Sequence, residues 1–273
     1  MQVFSVDPLK CTKCGVCVKI CPANIIKFNE KGMPEMGEKD ANSCIKCGHC
    51  VLFCPSLANS LSFLKAEDLV ETECLAMPGK AAGLNLLKTR RSTRCFKEEP
   101  ISEEVLKEIF DAVRMAPTAS NSQRVRWVLS SEREKTDEIR KLTFSWLRDE
   151  LSKKPASRFF NMASYMMSKA AEGDDALLRG APQIAFALVP KAYGWPEDGA
   201  IALTYLELAA HSVGAGVCWG GFVTTAARNY AKLRDFLGIN ENEHICGAQM
   251  LGYPLLKPAR QFPPRKEIDI TVI

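Results

Sequence analysis

No apolar run in the 273 residues reaches the roughly 20 positions that a bilayer-spanning helix needs. The opening MQVFSVDPLK lacks the basic start and apolar stretch of a secretion signal. An excess of one charge is missing too. The 36 basic and 32 acidic residues leave a formal +4, spread too evenly along the chain to mark a polyanion-binding face. These absences argue against a membrane protein and against a nucleic-acid partner, and they favour a cytoplasmic location. No strand-following G-x-G-x-x-G is present either, which leaves direct use of NAD(P)H undecided.

Cysteine is sparse over most of the chain and dense at its front. Eight of the 12 lie between Cys11 and Cys54, whereas Cys74, Cys95, Cys218 and Cys246 are scattered over the rest. With 47% hydrophobic and 25% charged residues the long second part can bury a core unaided, and the short front part cannot. The break predicts two domains: residues 1–64, then a linker over 65–85 marked by Pro78-Gly79, then 86–273. Cys74 in the linker has no base or metal partner nearby and is read as an idle thiol.

The front segment repeats. Cys11-Thr-Lys-Cys14-Gly-Val-Cys17-Val-Lys-Ile-Cys21-Pro22 recurs as Cys44-Ile-Lys-Cys47-Gly-His-Cys50-Val-Leu-Phe-Cys54-Pro55. Each copy is the C-x2-C-x2-C-x3-C-P run of bacterial ferredoxins, in which three thiolates converge from a tight loop and the fourth reaches the other cluster. Gly15 and Gly48 supply the backbone freedom the loop needs. The fourth cysteine is expected to start a short helix leading away from its own loop. That crossing assigns Cys11, Cys14, Cys17 and Cys54 to one 4Fe-4S cluster and Cys44, Cys47, Cys50 and Cys21 to a second. A disulfide framework is disfavoured without a secretion signal, and zinc sites show separated C-x2-C pairs in place of triplets followed by Cys-Pro. His49 stands open between tuning a cluster and facing solvent.

Beyond the linker, Ser102-Glu-Glu caps a helix whose apolar residues Val105, Leu106, Ile109, Phe110 and Val113 recur at helical spacing, ending near Pro117. Strands are predicted at Val125–Leu129, Gln183–Val189 and Ile245–Leu251. Helices are predicted over about Glu132–Glu172, from Asp198 to Gly214, and from Thr225 to Leu237. Few strands among many helices point to a central sheet packed between helices, an α+β class.

Four local features carry chemistry. Arg90-Arg91-Ser92-Thr93-Arg94 suits a phosphate monoester, since guanidinium forks and a hydroxyl offer convergent donors, though a solvated basic helix end has the same composition. The loop Ala116-Pro117-Thr118-Ala119-Ser120-Asn121-Ser122-Gln123 fits recognition of a heteroaromatic edge or is an ordinary connection. Gly214–Phe222, with Trp219, Gly220 and Gly221, reads as a glycine-rich turn open to a flat ligand or simply as a turn. Gly252-Tyr253-Pro254 with the tail through Arg260, Arg265 and Lys266 is the fourth. Cys218 and His211 sit in small-residue settings that favour packing, and no side-chain nucleophile or triad is expected.

In that order these four features, from about Leu86 to the C-terminus, resemble the FMN-dependent nitroreductase family, and the front-end fusion resembles its ferredoxin-linked members. The resemblance implies a nitroreductase-like α/β sandwich with a central sheet behind a ferredoxin-like 2x4Fe-4S domain. It also implies a homodimer with FMN at the subunit interface. By motif, Arg90, Arg91, Ser92 and Arg94 would hold the FMN phosphate and ribityl chain, with Arg265 completing the site. Pro117, Thr118, Ala119 and Asn121 would approach the ring from the other subunit, and Gly220 and Gly221 would lie beside the flavin N5 edge. Arg260 and Lys266 fit the tail spacing less well, and Gln123 is followed by Arg124-Val125 where relatives often have Pro-Trp. The implied function is an iron-sulfur flavoprotein oxidoreductase. It would take electrons from NAD(P)H or reduced ferredoxin and reduce a small-molecule acceptor such as a nitroaromatic, quinone or activated alkene. A redox-sensing or electron-shuttling flavin module is the alternative.

Overall fold

A computed structural model describes residues 3–69, 78–153, 158–258 and 265–273. The expectations for Cys74 and Arg260 lie outside the described residues. The chain divides into two compact units, Met1–Gly79 with Ser120–Ser122, and Lys80–Ala119 with Gln123–Ile273.

The first unit carries strand β1 (Phe4–Val6), helix α1 (Val16–Ile20), β2 (Ile26–Phe28), β3 (Pro34–Met36), α2 (His49–Leu52) and β4 (Asn59–Leu61). β1 pairs with β4 and β2 with β3, both antiparallel. Gly15 and Gly48 precede the two short helices at φ 74 and 73, so a side chain at either would be strained. One expectation is corrected here. The fourth cysteine of each motif follows its helix: Cys21 caps the C-terminus of α1 in extended backbone, and Cys54 lies just beyond α2. The proline after each cysteine is compatible with that stop, because it disfavours helical backbone at the residue before it.

The second unit opens with α3 (Lys80–Thr89) and α4 (Glu103–Val113), the latter capped by the Ser102 hydroxyl, which accepts from Val105 N–H. Then come β5 (Arg126–Ser130), α5 (Arg133–Lys153), α6 (Arg158–Ala171), β6 (Gln183–Pro190), α7 (Glu197–Ser212), β7 (Gly216–Trp219), α8 (Gly221–Asn229), α9 (Ala231–Phe236) and β8 (Glu243–Gly252). The sheet order is β5-β6-β8-β7, antiparallel throughout. The expected helix over Thr225–Leu237 is two, because Tyr230 adopts an extended conformation (φ −122) between α8 and α9. The glycine-rich Gly214–Phe222 segment holds the edge strand β7.

β6 alternates across the sheet. Ile184, Phe186 and Leu188 point to a core shared with α5, α8 and α9, and Ala185 and Ala187 face α4 and α7. The small residues let α7 approach closely. A Cβ on Gly247 would sit 2.8 Å from Leu203, and one on Gly199 would collide with Cys246. That close fit fixes which side chains of α7 reach the sheet's far edge.

Candidate functional site

The first unit holds two rings of thiols. Cys11, Cys14, Cys17 and Cys54 line one cavity, and Cys21, Cys44, Cys47 and Cys50 line another. The sequence crossing is thus the grouping these cavities display. Burial pushes the Cys50 thiol up to about 12, with repulsion from Cys47, Cys44 and Cys21 adding to it. Burial likewise raises Cys17, with Cys54 adding repulsion. Burial also acts upward on Cys54, but the Ala58 N–H at 3.3 Å and the Ser56 hydroxyl at 3.7 Å outweigh it and hold that thiol below its ordinary value. Among the described residues no three His, Cys, Asp or Glu side chains close round a single ion. The thiols ring cavities, and a 4Fe-4S cluster needs four such ligands, one to each iron.

The second unit contains a cavity of about 340 Å³ lined by Arg90, Arg91, Ser92, Thr93 and Arg94. Three backbone bonds build it. Thr93 N–H donates to Val217 of β7 at 2.9 Å, Lys97 N–H to Tyr253 at 2.8 Å, and Leu255 N–H to Cys95 at 2.9 Å. The basic segment is thereby held between the sheet edge and the Gly252-Tyr253-Pro254 turn. Gly216 is required there, since any Cβ would collide with Thr93.

Two α7 side chains that sequence reasoning did not single out for this site reach the same cavity. Glu207 accepts from Arg90 Nη1 at 2.7 Å, and His211 Nε2 lies 2.9 Å from Thr89 Oγ1. Because the Thr89 hydroxyl donates to the carbonyl of Asn85 at 2.7 Å, the imidazole is the donor and carries its proton on Nε2. Burial, then the Arg90 charge, holds His211 below the usual imidazole range. Their four-residue spacing on an otherwise apolar helix was the signal available in the sequence. Lys257 also lines the cavity. Arg265 stands exposed on the tail and is not among the lining residues.

The Ala116–Gln123 loop is divided between the units: Ala116–Ala119 and Gln123 belong to this one, and Ser120–Ser122 to the first, where Asn121 Nδ2 donates to the carbonyls of Ile45 and Lys46 at 3.2 and 3.1 Å. Ala119 N–H donates to the buried Asp198 carboxylate at 3.1 Å, and Tyr193 OH donates to the Ala119 carbonyl at 2.6 Å. Gln123 N–H donates to Thr118 Oγ1 at 3.0 Å. Ser120, Asn121 and Gln123 all have φ near 50, an unusual concentration of left-handed non-glycine backbone. Thr118 and Gln123 line a second cavity of about 280 Å³ with Phe110 and Trp127, whose rings meet edge to face at 5.3 Å. Pro117, Thr118 and Ala119 are not among the residues that line the arginine cavity of their own unit.

Gly220 donates its N–H to the Ala248 carbonyl at 2.8 Å, and Gly221 opens α8, where an added Cβ would meet nothing within 4 Å. Burial pushes the Cys218 thiol up, against the opposing Arg94 charge, so it is no ready nucleophile.

The nitroreductase family model matches residues 87–253, and a 4Fe-4S dicluster domain model matches residues 10–58. A protein of Archaeoglobus fulgidus provisionally named NADH dehydrogenase/NAD(P)H nitroreductase is 26% identical over 171 residues, 63% of this chain and 84% of the relative. Two solved structures share the fold. An FMN-bound nitroreductase of Bacteroides fragilis superposes with TM-score 0.57 at 21% identity, over 70% of this chain and 97% of its own. An FMN-bound nitroreductase of Desulfitobacterium hafniense superposes with TM-score 0.56 at 24% identity, over 69% and 97%.

Proposed function

The chain belongs to the nitroreductase family and carries a 4Fe-4S dicluster domain ahead of it, and from that premise we propose that it passes electrons between two clusters and FMN to reduce an organic acceptor. Nitroaromatics, quinones and activated alkenes are the acceptor classes, with NAD(P)H or reduced ferredoxin as donor. The observation that carries this reading is the pairing of two four-thiol rings in one unit with an arginine-lined cavity in the other. When bound, FMN supplies the hydride and single-electron chemistry, and the clusters supply one-electron transfer.

The residues present fit FMN at its phosphate end. Arg91 and Arg94 offer charged donors at the cavity, Ser92 a hydroxyl, and Arg90 is steadied by Glu207. Lys257 adds an ammonium to the wall, and Arg265 on the tail is assigned to complete the phosphate grip. Gly220 has committed its amide to the sheet, so any backbone N–H offered at the flavin edge comes from Gly221. His211, uncharged, adds a polar wall without adding to the positive field. We assign Pro117, Thr118, Ala119 and Asn121 to the partner's flavin in a homodimer, a reading supported by the absence of Pro117, Thr118 and Ala119 from the arginine cavity's lining.

Acid release and chromatography of the bound flavin test the assignment, together with iron analysis and an Arg94→Ala variant. FMN and about eight irons per chain are expected. Arg94→Ala should weaken FMN binding by about one to two orders of magnitude at unchanged iron content. FAD, no flavin, or parent-like FMN affinity in the variant would remove the cofactor assignment. Flavin that is reduced by NADH, NADPH or ferredoxin yet turns over none of the acceptors would favour an electron-shuttling module.

A further inference from the structure

The two thiol rings stand on one backbone design used twice. Left-handed residues recur at matching places: Lys13 (φ 55) with Lys46 (φ 55), Gly15 (φ 74) with Gly48 (φ 73), and Asn24 (φ 54) with Leu57 (φ 50). β2 begins at Ile26 after Cys21 exactly as β4 begins at Asn59 after Cys54, at the same spacing. With the backbones matched, differences between the rings lie mainly in side chains.

Those side chains differ in one direction. Thr12, Ser56 and Asn59 line the cavity of Cys11, Cys14, Cys17 and Cys54, and their counterparts at the other cavity are Ile45, Ala23 and Ile26. His49, in the place of Val16, is the polar exception on the apolar side. A side-chain donor reaches a sulfur of the first ring, the Ser56 hydroxyl 3.7 Å from Cys54 Sγ, beside the main-chain N–H groups of Lys13 and Ala58 at 3.4 and 3.3 Å from Cys11 and Cys54 Sγ. Asn59 is only 2% exposed. Its Nδ2 donates to the carbonyl of Cys50, in the second ring, at 2.7 Å, while the side chain lines the cavity of the first ring. One amide therefore holds the main chain of one ring and puts a polar, buried group in the wall of the other.

Adding an electron to a cluster adds a negative charge. Donors aimed at ligand sulfurs stabilise that charge, and an apolar wall does not. We infer that the two clusters are unequal, the one held by Cys11, Cys14, Cys17 and Cys54 having the higher potential and taking the first electron, with Asn59 setting the gap. The inference rests on the proposed reading that both rings hold 4Fe-4S clusters. Each cluster accepts one electron from an added reductant, with no bond made or broken and no proton required.

The test is a dithionite redox titration of the anaerobically purified full chain, followed by electron paramagnetic resonance, after iron and sulfide analysis has established two clusters. Two one-electron waves are expected, separated by at least tenfold in the redox equilibrium, about 59 mV. Asn59→Ile, which installs its counterpart's side chain, should move the upper wave down by a similar factor. Ile26→Asn should move the lower wave up, and Ser56→Ala should shift the upper wave down by less. Parent clusters titrating together, or an upper wave indifferent to Asn59→Ile in a chain retaining both clusters, overturns the inference. If Asn59→Ile loses a cluster, Ser56→Ala and Ile26→Asn decide, and no shift in either overturns it. Half the expected iron in the fully reconstituted parent would instead overturn the two-cluster reading, and the inference with it.

Discussion

The two units reach a folded state by different routes. In the first, the buried cluster of Phe4, Ile25, Ile26, Val51 and Leu61 includes Cys17 and Cys50, so thiols proposed as ligands are themselves part of the core. Its strands are three residues long. In the second, apolar cores lie on both faces of a four-stranded sheet and need no metal to complete them. A small core whose centre is made of ligands draws its stability from what those ligands hold. A large two-faced core draws it from burial.

Removing iron tests that contrast most severely. Anaerobic chelation should abolish the amide protection of β1 and β4, because without iron the four thiols round each cavity bind nothing together and the remaining apolar area is too small to hold three-residue strands. β6 and β8 should keep their protection. Hydrogen exchange read by mass spectrometry separates the two, and slow exchange persisting at Phe4–Val6 would break the comparison.

Phe186→Ala probes the other side. Phe186 is fully buried at the centre of β6, and truncation there should cost about 3–5 kcal/mol in lost transfer energy and residual cavity. Denaturant unfolding of the second unit should shift accordingly, with cluster absorbance of the native protein unchanged. Loss of the clusters in parallel would mean that the two units do not hold their stability separately.

The same contrast governs what the sequence made legible. A cysteine motif puts its thiols in the sequence directly, so the grouping of Cys21 and Cys54 with the other copy's triplet could be expected from the repeat, although the helix start invoked for it is not what the backbone shows. β6 was readable because it is a continuous buried apolar run. β7 was not, because Gly216-Val-Cys-Trp219 is short and follows Gly214, and its glycine serves the packing of Thr93 rather than a turn. The break at Tyr230 carries no glycine or proline to announce it. Arg90, Arg91, Ser92 and Arg94 stood in sequence as a cluster, whereas Glu207 and His211 come to them only through the seating of α7, which long-range packing determines. Local chemistry was visible in the chain, and partners brought from far away were not.

The smallest expected effect concerns two buried amides of the second unit. Gln183 is satisfied in both directions by the backbone of Ile101, accepting from its N–H at 2.9 Å and donating to its carbonyl at 3.2 Å. Gln249, wholly buried on β8 opposite Trp219, has no hydrogen-bond partner for either amide atom among the described residues. Burying an unpaired amide costs about 1–3 kcal/mol, and a shape-matched apolar residue avoids that cost. Gln249→Met should therefore stabilise the second unit by about 1 kcal/mol in denaturant titration, whereas Gln183→Met should destabilise it by orphaning both Ile101 groups. If Gln249→Met is destabilising as well, an ordered water or a bound ligand completes the Gln249 amide, and repeating the titration with FMN added distinguishes the two.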